Sequence, residues 1–272
     1  MFLRIILISG LLAWQSVCAV EVKGLFEAEA IAFSQEPEDR QAAIRDALTI
    51  VLQRVLVGEP ILADPVVADI LNRAASFVKK ERLSFIENPY DANTQARRMH
   101  IEFDEVALLD SLKDSRLGIW NEIRPETLLW LTVEGKDGKQ VFKPKAMPEM
   151  RDLVQKASRE QGMPLRLPLW DAHEHRNITF AKLHDPGLES LLKISARYKV
   201  VSILSGHMID RSWCWESKWV LLFGNAVKEW SGECGTQYET IIEGFRGAYQ
   251  VLSRFYSAKP HSVESGELPM LD

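Results

Sequence analysis

Leu128-Leu129-Trp130-Leu131-Thr132-Val133 is apolar at five of six positions, with no polar alternation. A strand with one wet face shows every second residue polar, so an unbroken apolar run predicts a strand covered on both faces by helices. The segments downstream fit that picture. Gly135, Asp137 and Gly138 turn the chain, and Pro148 opens a helix carrying Met150, Leu153, Val154 and Ala157, which Gly162 and Pro164 close. A short strand at residues 165 to 169 leads into a polar stretch at 171 to 185. Asp185-Pro186 then starts a helix with Leu188, Leu191 and Leu192, and residues 199 to 207 read as a second buried strand. A hairpin follows, and a last helix places Ile241, Phe245, Ala248, Leu252 and Phe255 on one face. Residues 128–257 thus predict a β-α-β-α-β-β-β-α module, a mixed sheet packed with helices.

Upstream the pattern differs. Val22, Gly24, Phe26, Ala28, Ala30 and Ala32 alternate with Glu21, Lys23, Glu27 and Glu29, which predicts a half-buried strand. Pro37, Glu38 and Asp39 suit a helix start, and Ile44, Leu48, Val51 and Val55 recur at helical spacing. Asp64-Pro65 is a cap and first-turn pair for a second helix through Val67, Ile70, Leu71, Ala74 and Val78. Two strands around residues 83–86 and 98–103 and a short helix capped by Asp104 complete a β-α-α-β-β-α module at 20–115. Residues 116–127 contain Gly118, Asn121 and Pro125 but also Leu117, Ile119 and Trp120, so this joint is expected to pack. The expected class is α+β or α/β, with two modules in tandem.

Composition sets the outer bounds. The chain has 272 residues, 46% hydrophobic and 26% charged, the balance of an ordinary folded protein. With 33 Lys and Arg against 38 Asp and Glu the formal charge is −5, and no basic run interleaved with aromatics points to nucleic acid. Residues 1–19 begin with Arg4, continue through an apolar stretch from Ile5 to Trp14 and end in Val17-Cys18-Ala19. That is the pattern of a secretory signal peptide cleaved after Ala19. The apolar stretch is shorter than the roughly 20 residues that cross a bilayer, and no later run has that length. A bacterial periplasmic location is expected, without a transmembrane segment. Residues 258–272 carry few apolar groups and are expected to be disordered.

The mature chain keeps two cysteines, Cys214 and Cys234, in an oxidising compartment. They flank the turn signal Gly224-Asn225 in a hairpin. An odd-length loop would set them directly opposite, within disulfide reach, whereas a two-residue turn would pair Cys214 with Gly235 and require a bulge. Two small buried thiols are the alternative reading.

Sites of chemistry are sparse. The sequence has no phosphate-cradling glycine loop, no G-x-S-x-G, no C-x-x-C and no H-E-x-x-H. Asp171, His173 and His175 share a parity, so on an extended backbone they would converge on zinc or copper as a hydrolase site, with His184 and Asp185 ten residues on. A solvated, histidine-rich loop is the plainer reading, and no cofactor is expected. Trp213, Trp215 and Trp219 share a parity on one hairpin strand, with Trp230 on the other. Exposed, they would stack on sugar rings; covered, they would be the core under the last helix. Arg124, Arg197 and Arg211 are candidate anion or partner contacts.

Several stretches together resemble a proteobacterial exported family known as domain-of-unknown-function family 2066. They are residues 25–32 with Ala43-Ile44-Arg45-Asp46-Ala47-Leu48, Gly118-Ile119-Trp120, Arg124-Pro125 and Leu129-Trp130-Leu131. Further on come residues 165–171, Ser195-Ala196-Arg197-Tyr198, residues 215–222 and Trp230-Ser231-Gly232. The resemblance implies an exported bacterial protein with no assigned reaction and carries over no functional residue. The expected function is a non-catalytic binding or assembly factor of the cell envelope with a protein partner, homo-oligomerisation staying open.

Overall fold

The computed structural model describes residues 19–58, 60–88, 91–184 and 187–257. In chain order the first part contains β1 (Ala19–Glu21), β2 (Glu27–Ala32), α1 (Pro37–Val55), β3 (Leu56–Val57), α2 (Pro65–Asn72), β4 (Val78–Asn88), β5 (Asp91–Phe103) and α3 (Glu105–Ser111). The joint supplies β6 (Gly118–Ile119) and β7 (Ile123–Pro125). Then follow β8 (Thr127–Gly135), β9 (Gly138–Val141), α4 (Pro148–Glu160), β10 (Leu165–Arg166), α5 (Ala172–Asn177), α6 (Phe180–His184), α7 (Leu188–Ser195), β11 (Ser202–Asp210), β12 (Trp215–Phe223), β13 (Ala226–Gly235) and α8 (Gln237–Ser257). The fold is α+β with a mixed sheet. All of the expected leader but Ala19, the expected C-terminal tail and the Asp185-Pro186 helix start lie outside the described residues.

In the first part an antiparallel sheet in the order β2-β5-β4 carries α1 on one face. The alternation read in the sequence sorts the faces, since Ala28, Ala32, Met99, Ile101 and Phe103 are buried against the α1 stripe of Ile44, Leu48, Val51 and Val55. Gly24, at φ +69°, turns the chain ahead of β2, so of the single strand expected from Val22 to Ala32 only Glu27–Ala32 is strand. Asp64 caps α2, accepting from the Val66 and Val67 amides at 2.9 and 3.3 Å. Asp104 caps α3 through the Ala107 amide at 3.0 Å.

The second sheet has the order β10-β8-β11-β12-β13, with β9 on the far end of β8. Here β8 lies parallel to both β10 and β11, Thr127 opposite Ser202 through Glu134 opposite Ile209. Leu129, Leu131 and Val133 face a core built with α4 and α8, whereas Leu128 and Trp130 face Ile178, Leu183 and Leu191 of the α5–α7 layer. The apolar run is therefore apolar because both its faces are roofed.

The β12–β13 hairpin closes with the two-residue turn Gly224-Asn225, Phe223 opposite Ala226. The register slips between Trp215 and Ser217, a bulge of the kind a two-residue turn demands. Cys214 and Cys234 form a disulfide across it with Cα atoms 5.6 Å apart, so the odd-loop geometry is replaced by turn plus bulge.

Trp120 is buried, and the segment around it is paired on both sides. β6 pairs with β3, and β7 pairs with β1. Two buried arginines sit beneath these small sheets. Arg124 donates to the carbonyls of Asn121, Gly162, Arg54 and Trp120 at 2.7 to 2.9 Å. Arg54 of α1 donates to Leu25, Arg159, Gly24 and Glu27 carbonyls. Tyr249 of α8 adds a bond to the Leu56 carbonyl at 2.8 Å. These bonds cross between the first sheet's helix, the joint and the second sheet's helices.

Candidate functional site

β2 is short, and its side chains alternate between the α1 core and the outer face, where Glu27, Glu29 and Ile31 lie. On one side it pairs with β5 in an antiparallel register, Ala28 opposite Ile101 and Ala30 opposite Met99. The Phe103 amide donates to the Phe26 carbonyl, which fixes the even-numbered β2 residues as the pairs bonded to β5. The N–H and C=O groups of Glu27, Glu29 and Ile31 therefore point the other way. Glu27 is satisfied locally, its amide on the Gly24 carbonyl and its carbonyl on Arg54. Glu29 and Ile31 are not so engaged, and among the described residues no strand pairs with that edge of β2.

That edge forms one wall of a cleft of about 1090 Å³. The facing wall is Leu153, Lys156 and Arg159 of α4, continuing into Met163, Leu165 and Leu167. Arg54 closes one end, holding the start of β2 to α4 through the Arg159 carbonyl at 3.2 Å. Burial, then the positive charge of Arg124, lowers the Arg54 pKa to about 10; burial does the same to Arg124. Both remain cationic at neutral pH. On the outer face of the sheet His100 lies between Glu27 (3.1 Å) and Glu29 (3.8 Å).

The sites read from the sequence fall elsewhere. Asp171 is not one of three converging metal ligands. It caps α5, accepting from the His173 and Glu174 amides at 3.1 and 3.0 Å, and pairs with Arg197 at 2.6 Å. The Arg197 hydrogen bond holds its carboxyl well below the usual range. Because residues 172–177 are helical, His173 and His175 lie about 200° apart around the axis, and His175 leans on the Trp170 ring. Among the described residues no group of three His, Cys, Asp or Glu is placed to hold a metal ion. Glu174 is the group the spacing missed: it is buried, accepts from the Trp170 amide at 2.6 Å and binds Tyr198 and Arg197. Asp at the cap with Glu three residues on is a helix-start pattern that would have signalled this.

The tryptophans do not make an exposed row. Trp213 precedes β12 and is 80% exposed, whereas Trp219 is 1% exposed and Trp215 and Trp230 are partly buried. α8 covers this face, and a Cβ at Gly206 or Gly244 would collide with the Trp219 indole, one at Gly247 with Trp230. Of the arginines, Arg197 pairs with Asp171 and Glu174, and Arg211 with Glu216 at 2.9 Å, whereas Arg124 is buried in the joint. One pair that sequence distance concealed is His184 and His207, with ring centroids 4.1 Å apart. Thr132 Oγ1 lies 3.0 Å from His207 Nδ1, Glu134 lies 4.0 Å from Nε2, and burial, with His184 adding to it, pushes His207 down to about 4.

Comparison with known proteins adds one finding. Residues 19–121 match the family model described as Domain of unknown function (DUF8605), a different family from 2066. The match spans the first sheet with its helices and ends in the joint. No curated protein matches, and no solved structure matches. No helix among the described residues is long and apolar enough to cross a membrane.

Proposed function

We propose that the chain is a non-catalytic binding or assembly factor of the bacterial cell envelope, and that it receives an extended segment of a protein partner as an added strand on β2. The observation that carries this is the outward-facing backbone of Glu29 and Ile31 lining a cleft. Main-chain groups on an open sheet edge recognise an extended peptide through hydrogen bonds that any sequence can make, and the flanking walls select side chains. The expectation of export, from residues 1–19, puts such an edge where other exported chains pass before or during assembly.

The test is site-specific photo-crosslinking in cells with a photoreactive residue at Leu167, on the facing wall. The reading predicts a protein adduct that Ile31→Pro abolishes. Proline there removes only an N–H that β5 does not use, a position where edge strands tolerate it. A photoreactive residue at Leu83, on the far edge strand β4, serves as control and should capture nothing in common. An adduct at 167 indifferent to Ile31→Pro would refute strand addition.

A further inference from the structure

Resting on that reading, we infer that the strand accepted by β2 alternates apolar and basic residues, with Lys or Arg opposite Glu29 and so diagonal to Glu27 on the same face. In any strand added to a sheet, the residue directly opposite shares the face of its partner, with Cβ atoms about 4.5 to 5.5 Å apart. The two faces of β2 are chemically distinct. Ala28, Ala30 and Ala32 face inward and leave the neighbouring space to Ile50 of α1 and to Leu153 and Leu167 across the cleft, so the added residues on that face are apolar. Glu27 and Glu29 stand on the other face, their side chains 40% and 62% exposed, with only His100 between them. A carboxylate opposite either would face a like charge at close range, and a cation an opposite one.

The cleft as a whole does not dictate this. Lys23, Arg54, Arg98, Lys156 and Arg159 line it alongside Glu21, Asp152 and Glu160, so only with Glu27 and Glu29 do its charges balance, and the nearest cross-strand neighbours decide. The same carboxylates argue against a second copy of this chain as occupant in some registers. Only the antiparallel registers of two β2 edges that set Glu27 or Glu29 against Glu27 or Glu29 bring like charges together.

Three blocked hexapeptides, alternating Val-Lys, Val-Ser and Val-Glu, test the inference by fluorescence polarisation against the full chain. Each matched charge pair changes affinity about two- to five-fold. Val-Lys should therefore bind about two- to five-fold more tightly than Val-Ser, with Val-Glu weakest, and the Ile31→Pro variant should lose the Val-Lys peptide. Glu27→Lys with Glu29→Lys should invert the order in favour of Val-Glu. These carboxylates are exposed on the outer face, so the variant should fold, which circular dichroism checks. Equal binding of the three peptides, still sensitive to Ile31→Pro, overturns the charge rule and leaves the cleft reading standing. No binding by any of the three, or binding indifferent to Ile31→Pro, overturns both.

Discussion

Replacing Arg124 with Met tests whether the two sheets form one cooperative body. The guanidinium is fully buried and bonded to four backbone carbonyls, and it stacks 4.4 Å from the Trp120 ring centre. Methionine fills similar volume but cannot donate, so the carbonyls of Asn121, Gly162, Arg54 and Trp120 lose their partner together. At about 2 kcal/mol for each buried acceptor left unsatisfied, the gross loss is about 8 kcal/mol. The cation's own desolvation, visible in a pKa lowered to about 10, offsets about 3 kcal/mol of that. A net loss of about 5 kcal/mol remains, a fall in Tm of roughly 10 to 20 °C for a chain of this size. Urea unfolding followed by tryptophan fluorescence and by far-ultraviolet circular dichroism measures it, the wild type giving coincident transitions and Arg124→Met separating them. Arg124→Lys, which keeps the charge with fewer and less directed donors, should fall between. A loss below about 1 kcal/mol with coincident transitions would refute the role assigned to this arginine.

The remaining predictions concern single features. Reducing the Cys214–Cys234 bond, which closes a separation of 20 residues, should cost about 3 kcal/mol, read as a lower urea midpoint in reductant. His207 is held at about 4 in the folded chain against about 6.5 unfolded, so the unfolded state takes up the proton first. Its contribution is therefore complete above pH 6.5 and lost as pH falls from there to 4, up to about 3 kcal/mol; His207→Phe should flatten that part of the stability profile relative to wild type. Gly244→Ala should destabilise by about 1 to 3 kcal/mol in thermal melts, despite alanine's better helix propensity, because its Cβ enters the Trp219 indole.

How far the sequence could be read depended on whether the cause was local. The run Leu128 to Val133 announced a doubly covered strand, and Asp64-Pro65, Asp104 and Pro148 marked helix starts, because capping and periodicity act within a few residues. The stretch after Trp170 reads as a solvated, histidine-rich loop, and Asp171, His173 and His175 converge only on the alternative of an extended backbone; Asp171 with Glu174 is the local sign of the helix that stands there. The tryptophans divided between exposure and core according to where α8 lies, and its glycines at 244 and 247 were the available sign of close approach. The cleft itself was not legible. Alternation showed β2 to be half-buried, but whether a strand is central or at an edge depends on partners 70 residues away, and Arg54 and Arg124 are indistinguishable in sequence from surface arginines.

The central claim is that the outward backbone of β2 is the recognition surface. Amide hydrogen exchange of the protein with and without saturating Val-Lys hexapeptide tests it at single residues. Strand addition predicts slowed exchange at Glu29 and Ile31 and no change at Ala28 and Ala30, whose amides already bond to β5. Protection spread evenly along β2, or confined to other elements while Glu29 and Ile31 exchange as before, would contradict it.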